Sequence, residues 1–495
     1  MNVLAFDLGA SSGRGILAKF DGEKITLEEI HRFPHNFSMM NGHAYWNILS
    51  LMDEMKEGLR LCKEPLSGVG FDTWGVDCGL LDAEGNLIGI PGSYRDPALD
   101  DENMNEILKK LAPEGASEEE KLAAGEKVAF EQTGIASLAY NTLYKLCYMK
   151  EKMPSQMAAA DTVLLMPNLI EYLFSGVKHG EYSIASTTQL FNMKEKCWSK
   201  EMMEKLDLNP AMFPEVDYAG KDLGLLRPEI AKEVGQENLH IISVSGHDTA
   251  CAVAAVPAKE EEFTFLSSGT WSLLGISSKT LLEGDEVIKS KISNEGTWDG
   301  GYRPTVNIIG LWIVQELRRN FQKAGKDYSF GEMAEMASKE PALKSFIRPD
   351  DFMQPGDYPS KIREYCRETG QPVPETDGAL VRCVLESLAM KYRQVYESFR
   401  PYITWEEKLY IVGGGVQNKL LNQFTANAIG IPVITGAAEA TAVGNVMEQF
   451  QALGAYKTRE EKCNILAASF DTEEFLPQEQ EIWKEGYERF CKLYE

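Results

Sequence analysis

The sequence predicts an α/β protein with two domains that begin in the same way. Its 495 residues exceed the roughly 250–300 residues at which a single hydrophobic core stops growing. A strand, a turn of glycine and serine, and a second strand occur at 3–20 and again at 263–277. Elsewhere strand-like runs alternate with amphipathic helical stretches, which is the pattern of α/β folds.

The first half contains one long apolar run and one strongly polar segment. The run VGFDTWGVDCGLLD, at 69–82, predicts a strand after the opening hairpin. The stretch 100–127 is rich in Glu and Lys and reads as a solvated surface elaboration. Within it, the spacing of Ile107, Leu108 and Leu111 predicts a helix.

The strand-like run HIISV indicates a domain boundary near 241–245 and opens the second half. We therefore predict domains at 1–245 and 246–495. The stretch 379–399 has the apolar periodicity of an amphipathic helix. The segment KLYIVGGGVQNKLLNQFTANAIGIPVI predicts a strand, a triple glycine at 413–415, a helix and another strand.

The net charge disfavours two classes of partner. Lys and Arg number 50 and Asp and Glu number 75, a net charge of -25, which argues against an extended surface for nucleic acid or anionic membrane. A phosphate site would therefore depend on backbone N–H groups, a few basic side chains and a metal ion.

Cysteine usage and hydropathy predict the compartment. The nine cysteines occur singly, without a CxxC pair, which predicts free thiols in a reducing environment. The chain begins with a strand-like run rather than a signal peptide, and no run reaches the ~18 apolar residues of a membrane span. We therefore predict a cytoplasmic protein that does not bind membranes.

The opening run VLAFDLGASSGRGILAKF raises the question of a phosphate-binding turn. It lacks the GxxxxGK[ST] lysine and the GxGxxG spacing, and a strand rather than a helix follows its glycines. Gly9 and Gly13 permit close approach of a phosphate, and Ser11 and Ser12 can donate hydrogen bonds. Asp7 would then be a Mg²⁺ partner, directly or through water. The alternative is a plain tight turn.

Two further glycine-containing turns fit a nucleotide. Ser267–Thr270 repeats the first turn in the second half, and Thr270 could bond a terminal phosphate. Two such hairpins suggest a pair of domains that hold one nucleotide. The triple glycine around Gly414 would let a base and ribose lie against the backbone at a helix start.

A carboxylate follows the strand in SVSGHDTACAVAAVP. Asp248 could be a helix N-cap, or it could be a general base at the domain edge, and the residues alone favour neither. Its neighbour His247, taken alone, is typical of a satisfied structural histidine. Asp72 and Asp77, with an aromatic residue and a glycine between them, suit a polyol, or else they are exposed acids at strand ends.

These segments, in this order, resemble the FGGY carbohydrate kinases of the actin-like ATPase superfamily. The resemblance covers nearly the whole chain, and it rests on DLGASSGR, DTWGVDCGLLD, YRD, NTLYKL, LLMPNLIEYLFSG, TTQLFN, HDTACAVAAVP, LSSGTWSLLG, NEG, NIIGLWIVQE, VGGGVQNKLLNQ and EATAVGN. It implies two RNase H-like domains with a central cleft, the first binding sugar and carrying the phosphate hairpin, the second binding ATP and carrying the catalytic Asp.

The resemblance also implies a reaction and its residues. ATP, with Mg²⁺, would phosphorylate the 1-hydroxyl of L-rhamnulose. Asp248 would be the catalytic base. The sugar contacts would be Gly75, His247, Asp248, Thr249 and Asn307. The ATP contacts would be Ala10, Ser11, Ser12, Gly13, Arg14, Thr270, Gln315 and Gly414, with Asp7 at the metal.

Several alternatives stay open. The general FGGY signature strings are not clearly present, and the acidic stretch 100–127 has no match, which leaves the substrate detail open. L-fuculose or D-xylulose is the alternative sugar. An actin-like ATPase that is not a kinase would have no use for the HDT carboxylate, and a sugar-binding regulator would need a DNA-binding extension. The expected assembly is a monomer or a small homo-oligomer.

Overall fold

The computed structural model describes residues 1–9 and 11–495. This part of the chain forms two compact units. Unit 1 comprises Met1–Ala255, Ser278–Pro304 and Thr441–Ser469, and unit 2 comprises Val256–Ser277, Thr305–Ala440 and Phe470–Glu495. The predicted division at 245 and 246, with its assignment of roles to the two domains, stays a prediction.

The strands run in chain order as follows. They are β1 Asn2–Leu8, β2 Ser12–Phe20, β3 Ile25–Pro34, β4 Phe37–Met40, β5 His43–Trp46, β6 Gly68–Thr73, β7 Cys78–Leu81, β8 Leu87–Ile88, β9 Thr162–Leu165, β10 Gly180–Glu181, β11 Phe191–Asn192, β12 Cys197–Trp198, β13 Val216–Asp217, β14 Lys221–Leu225, β15 His240–Ser243, β16 Phe263–Ser268, β17 Trp271–Ser277, β18 Ser293–Gly296, β19 Tyr302–Ile309, β20 Leu409–Val412, β21 Val433–Thr435 and β22 Glu474–Phe475.

The helices are numbered in the same way. They are α1 Ile48–Leu61, α2 Asp101–Leu111, α3 Lys121–Thr133, α4 Thr142–Lys152, α5 Pro154–Ala159, α6 Met166–Ser175, α7 Tyr182–Ala185, α8 Lys200–Lys205, α9 Pro228–Val234, α10 Asp248–Ala254, α11 Asp285–Lys289, α12 Trp312–Lys323, α13 Phe330–Ser338, α14 Tyr358–Glu368, α15 Asp377–Phe399, α16 Lys419–Ile429, α17 Ala440–Ala452, α18 Arg459–Ser469 and α19 Gln480–Cys491. None of these helices is both long and apolar enough to span a membrane.

The main sheet of unit 1 has the strand order β14-β15-β6-β1-β2-β3. Strands β1, β2 and β3 form an antiparallel meander, and β1, β6 and β15 run parallel. Residues 3–8 of β1 are buried without alternation, because both faces of this strand are covered. Phe6 and Phe71 stack within the core of this sheet, with ring centroids 5.6 Å apart.

The main sheet of unit 2 repeats this arrangement. Its order is β18-β19-β17-β16-β20-β21-β22, and β18 and the first residues of β19 belong to unit 1. Strand β16 pairs antiparallel with β17 and parallel with β20, as β1 pairs with β2 and β6. Strand β21 continues the parallel series and β22 closes it antiparallel. The prediction of two halves that begin alike is therefore confirmed.

The polar stretch 100–127 is only partly a surface feature. It forms most of α2 and α3, and Ile107, Leu108 and Leu111 are buried against the apolar core around Leu143. The helix predicted from their spacing is confirmed. The interpretation as a solvated surface elaboration holds for the charged face of α2 and is wrong for the face of Ile107, Leu108 and Leu111, which packs in this core.

Candidate active site

The first hairpin of unit 1 brings Asp7 and Arg14 together. They are register partners across β1 and β2, and the Arg14 guanidinium forms an ion pair with the Asp7 carboxylate. The turn is closed by the Gly9 N–H, which donates to the carbonyl of Ser12 at 3.0 Å. A Cβ on Gly13 would overlap the ring of Phe33, so this position requires glycine. Of the predicted ATP residues in this turn, Ala10 lies outside the described residues.

His35 supports the hairpin from beside it. Its Nε2 lies 2.5 Å from the carbonyl oxygen of Gly9, and its ring stacks on Trp74 at 5.3 Å. Burial lowers the pKa of His35, so the neutral ring that donates to Gly9 is favoured. The contacts of His35 thereby connect the phosphate turn to the aromatic residues that follow β6.

The end of β6 carries a second carboxylate next to Asp7. Asp72 is the register partner of Asp7 in the parallel pair of β1 and β6, and it is fully buried. Its Oδ2 accepts a hydrogen bond of 2.7 Å from Asn445 Nδ2, while its buried Oδ1 has no hydrogen-bond partner in the described residues. Burial, and then the nearby carboxylates of Asp7 and Asp248, raise the pKa of Asp72 well above its usual value.

Asp77 is the centre of a buried network. Its Oδ2 accepts from the indole N–H of Trp46, from that of Trp74 at 2.8 Å, and from the backbone N–H of Tyr94 at 3.1 Å. Its Oδ1 forms an ion pair with Lys145, and both side chains are buried. The interpretation of Asp72 and Asp77 as exposed acids at strand ends is wrong, because both are fully buried.

The backbone between Trp74 and Asp77 is strained. Val76 has a φ of 65°, a left-handed conformation that is a genuine outlier for a β-branched residue. Its N–H donates to Thr187 Oγ1 at 3.0 Å, and its carbonyl accepts from Thr142 Oγ1 at 2.7 Å. Such strain persists only where the surroundings hold it, and it clusters at functional sites. The predicted sugar contact Gly75 directly precedes this residue.

The loop that carries Asp248 is fastened to the end of β6. The Thr73 N–H donates to the carbonyl of Gly246 at 2.9 Å, and Thr73 bridges to His247 in parallel. The Gly246 N–H in turn donates to the buried carboxylate of Glu181 at 2.8 Å. A Cβ on Gly246 would lie 2.7 Å from Pro167, so glycine is required where the loop turns.

Asp248 is the first residue of α10, so the N-cap position before the helix belongs to His247 and not to Asp248. Its side chain is 32% exposed, and its Oδ1 accepts from the Thr249 N–H at 2.6 Å and from Thr249 Oγ1 at 3.1 Å. His247 Nε2 lies 3.4 Å from the same oxygen. Three predicted sugar residues, His247, Asp248 and Thr249, are thus consecutive members of one tightly held loop.

The second hairpin, in unit 2, brings two predicted ATP residues together. Gln315 Nε2 donates to Thr270 Oγ1 at 3.1 Å. The Gly269 N–H donates to the carbonyl of Trp271 at 2.9 Å, which closes the turn as Gly9 and Ser12 close the first one. Trp271 is 43% exposed, so it does not serve as a core residue. Asn307, a predicted sugar contact, is an exposed residue of β19 in the same unit.

The triple glycine of unit 2 packs against the end of the second hairpin. Gly413 has a φ of 87°, and a Cβ there would lie 3.0 Å from the Ser268 carbonyl. A Cβ on Gly415 would overlap the Ser268 side chain. A Cβ on Gly414 would meet no atom of the described residues within 4 Å. The outer glycines therefore serve packing, whereas Gly414 borders open space.

The carboxylates of unit 1 fit a magnesium ion that is bound mainly by phosphate and water. Mg²⁺ commonly uses one or two protein carboxylates and completes its shell with substrate phosphates and water. In the described residues, no three or more His, Cys, Asp or Glu side chains form a metal-binding group. Asp7 and Asp72 nevertheless lie in register, and the buried Oδ1 of Asp72 lacks a hydrogen-bond partner there. An orphaned carboxylate oxygen beside a second carboxylate is the donor set that such an ion requires.

Comparison with protein families identifies the chain. Residues 2–255 match the N-terminal domain, and residues 264–453 the C-terminal domain, of the FGGY family of carbohydrate kinases. The chain belongs to the FGGY family of carbohydrate kinases. The family assignment made from the ordered motifs is therefore confirmed.

Relatives within the FGGY family extend over the full chain. A rhamnulokinase of Bacteroides thetaiotaomicron is 39% identical, covering 99% of this chain and 98% of the relative. A rhamnulokinase of Halalkalibacterium halodurans is 36% identical, covering 97% of this chain and 99% of the relative. Both alignments therefore extend over nearly the whole of this chain and of each relative.

Solved structures of FGGY kinases share the fold. Xylulose kinase from Rhodospirillum rubrum superposes with a TM-score of 0.80 at 16% identity, over 100% of this chain and 98% of that one. Plasmodium falciparum glycerol kinase with ADP superposes with a TM-score of 0.77 at 15% identity, over 100% of this chain and 97% of that one. The predicted fold, with two actin-like ATPase domains, is confirmed by these likenesses.

Sequence reasoning missed several residues that build the site. Asn445 on α17, Lys145 on α4, and the pair of Glu295 and Arg303 were not predicted, although NEG and NTLYKL contributed to the family resemblance. The interactions of Asn445 and Lys145 link residues 373 and 68 positions apart in the chain. No local pattern marks such partners, so only the ordered motifs could have drawn attention to them.

Proposed function

We propose that this FGGY kinase transfers the γ-phosphoryl group of ATP to the 1-hydroxyl of L-rhamnulose, which gives L-rhamnulose 1-phosphate and ADP. The observation that carries the proposal is the similarity of this chain, over nearly its whole length, to relatives named rhamnulokinase, at 39% and 36% identity. The geometry around Asp248 supports it, because His247 and Thr249 lie at Oδ1 of a partly exposed carboxylate that can accept a hydroxyl proton.

Asp248 is the general base of the proposed reaction. As the sugar O1 attacks the γ-phosphorus, the O1–H bond breaks and its proton passes to the carboxylate. The O1–P bond forms while the bond from phosphorus to the β,γ-bridging oxygen breaks, and ADP leaves. A base in this role must be ionised and reachable, and the side chain of Asp248 is 32% exposed.

The sugar is held in unit 1 by the loop 246–249 and by the strained segment at Gly75. The left-handed Val76, held by Thr187 and Thr142, fixes the backbone at Gly75 for close approach of a polyol. The network around Asp77 keeps Trp74 rigid beside it. Asn307, exposed on β19 of unit 2, stays a proposed sugar contact that rests on the family resemblance of its segment.

We propose a phosphate-binding role for each of the two hairpins and a nucleoside-binding role for the triple glycine. The backbone N–H groups and hydroxyls at Ser11–Arg14 and at Thr270 bind phosphate oxygens, and Gln315 orients the Thr270 hydroxyl. The open space at Gly414 accommodates the nucleoside. Asp7 and Asp72 would hold Mg²⁺, which when bound neutralises charge on the transferring phosphoryl group. We further propose that the enzyme is cytoplasmic.

An assay of ADP release across a sugar panel tests the function. L-rhamnulose, L-fuculose, D-xylulose, L-ribulose and glycerol are compared, and the position of the phosphate in the product is read by NMR. The expected result is the highest kcat/KM with L-rhamnulose and phosphate on O1. A higher kcat/KM with another ketose would mean that this ketose, and not L-rhamnulose, is the substrate. Rapid ADP release without any sugar would favour an ATPase that is not a kinase.

A further inference from the structure

Behind His247 lies a buried ion pair with no assigned role. Arg303, at the start of β19, is fully buried and forms an ion pair with Glu295 on β18. Arg303 Nη2 lies 2.8 Å from His247 Nδ1, and Glu295 Oε2 lies 3.2 Å from the same nitrogen. On the other side of the ring, His247 Nε2 lies 3.4 Å from Asp248 Oδ1. All four residues belong to unit 1.

The guanidinium of Arg303 decides which ring nitrogen carries the proton. A guanidinium N–H can only donate, and a neutral imidazole has one donor nitrogen and one acceptor nitrogen. A proton on Nδ1 would point one N–H at another across the 2.8 Å contact with Arg303. Glu295 stays ionised beside it, because the charge of Arg303 outweighs the effect of burial and keeps the pKa of this carboxyl below its usual value.

We propose that Arg303 and Glu295 are positioning residues that hold His247 in the tautomer with its proton on Nε2. Glu295 anchors the guanidinium, Arg303 occupies Nδ1 as a donor, and the Nε2–H consequently faces Asp248. The proposal rests on the proposed function only in taking Asp248 as the base. In this arrangement His247 is a fixed hydrogen-bond donor beside that base.

The contacts of Asp248 show how the Nε2–H of His247 would orient the carboxylate. Its Oδ1 accepts hydrogen bonds from the Thr249 N–H and from Thr249 Oγ1. The same oxygen faces His247 Nε2 at 3.4 Å. In the part of the chain that the structure describes, no hydrogen bond reaches Oδ2. Donors on one carboxylate oxygen orient the group and leave the other oxygen to accept the sugar proton.

The cost of burying Arg303 supports a role beyond stability. Its Nε and Nη1 are buried and have no hydrogen-bond partner among residues 1–9 and 11–495. Unsatisfied buried donors are unfavourable, and a hydrophobic residue of similar size would avoid that cost. A charged group retained under these conditions is consistent with selection for the position of His247.

Nitrogen NMR of the wild-type protein tests the tautomer directly. The chain has six histidines, so the protein is labelled with ¹⁵N-histidine, and the His247 signals are assigned by their loss in H247Q. We expect the Nε2 of His247 to carry the proton and its Nδ1 to show the shift of an unprotonated nitrogen. A proton on Nδ1, donated to Glu295, would overturn the proposal. This result does not depend on which sugar is phosphorylated.

Variants then test whether the tautomer matters. R303K keeps the charge next to Glu295 but removes the guanidinium N–H that occupies Nδ1, and E295Q removes the anchor. For both, kcat/KM for the sugar should fall roughly tenfold to hundredfold, the KM for ATP should stay the same, and the Nε2–H signal should weaken. R303K with the wild-type tautomer and wild-type kcat/KM would overturn the proposal, even if E295Q fails to fold.

A matched control is available in the same unit. His179 and Glu171 form another buried pair of histidine and carboxylate, with Nε2 and Oε2 2.7 Å apart, and neither residue belongs to the proposed site. E171Q should leave both the His247 spectrum and kcat/KM within twofold of wild type. An equal loss of activity in E171Q would overturn the proposal, since the effect would then follow from any disturbed buried pair.

Discussion

Asp7 and Asp72 lie side by side, in register, at the carboxyl ends of the neighbouring parallel strands β1 and β6. Asp7 has Arg14 as an ionic partner, and Asp72 Oδ2 accepts a hydrogen bond from Asn445. Two adjacent carboxylates in a buried environment destabilise the charged state of each other unless a cation neutralises them. Arg14 already neutralises Asp7, so the ionised form of Asp72 is the unfavourable one in the unliganded protein, and a bound cation would stabilise it.

The first prediction concerns this carboxylate pair and Mg²⁺. Mg²⁺ with ADP should raise the Tm of the wild-type protein more than ADP alone, because bound ligands stabilise the folded state. In D7N this additional rise should disappear, and Mn²⁺ binding followed by electron paramagnetic resonance should weaken at least about tenfold. Unchanged Mn²⁺ affinity in D7N would remove Asp7 from the metal site. Exposed Asp327 supplies a control, D327N, which should bind Mn²⁺ as wild type does.

The second prediction concerns the base. D248N should lower kcat by roughly a hundredfold or more, because Asn cannot accept the sugar proton. ATP affinity, measured by calorimetry, should stay close to wild type. Asp285 is likewise the first residue of a short helix of unit 1, but it is highly exposed and pairs with Lys127. D285N should retain full turnover, and an active D248N would refute the role of Asp248.

The third prediction separates two neighbouring glycines. G414V should weaken ATP binding about tenfold without lowering the Tm, because its side chain would fill the open space assigned to the nucleoside. G415A should lower the Tm, since its Cβ would overlap Ser268. Calorimetry and thermal unfolding give both quantities for each variant. If G414V binds ATP with wild-type affinity, the nucleoside does not lie against this glycine.

The fourth prediction concerns the buried ion pair of Asp77 and Lys145. D77N should lower the free energy of unfolding by about 3 kcal/mol, because it leaves the buried Lys145 charge uncompensated and takes away one acceptor site. The double variant D77N/K145M should lose less than the sum of the two single losses. Additive losses in urea unfolding would mean that the two groups do not interact energetically.

The fifth prediction is a pH dependence of stability. Burial raises the pKa of Glu448 to about 8, so the folded state retains a proton that the unfolded state releases from about pH 4.5 upward. Stability should therefore fall as the pH rises through this range, by at most about 3 kcal/mol between pH 5.5 and 8 from this group. E448Q should show a smaller loss of Tm from pH 5.5 to 8 than wild type.

A surface variant serves as the control for this pH effect. E335Q makes the same substitution on the exposed face of α13, and its pH dependence should match that of wild type. Glu448 accepts hydrogen bonds from Ser245, both from its N–H and from its hydroxyl at 2.9 Å, and a Gln side chain can preserve one of these as acceptor. If E448Q and wild type lose equal stability over this range, Glu448 is not the titrating group.

The sequence by itself determined the order of the elements and the positions where strands end. The alternating strands and helices, the two hairpins and the strand, triple glycine and helix around Gly414 all depend on residues close in the chain. Asp7, Asp72 and His247–Asp248 were found because each lies at or just after the carboxyl end of a strand, and parallel strands bring these ends to one edge of a sheet.

Only the tertiary structure decided which side chains meet there. Arg303 reaches His247 across 56 positions and Asn445 reaches Asp72 across 373, and no local periodicity encodes either contact. The burial of Asp72 and Asp77, which reversed one interpretation of their segment, likewise depends on elements packed from elsewhere in the chain. Local preferences select strand, turn and helix, whereas burial, ionisation and tautomer depend on neighbours that the folded topology supplies.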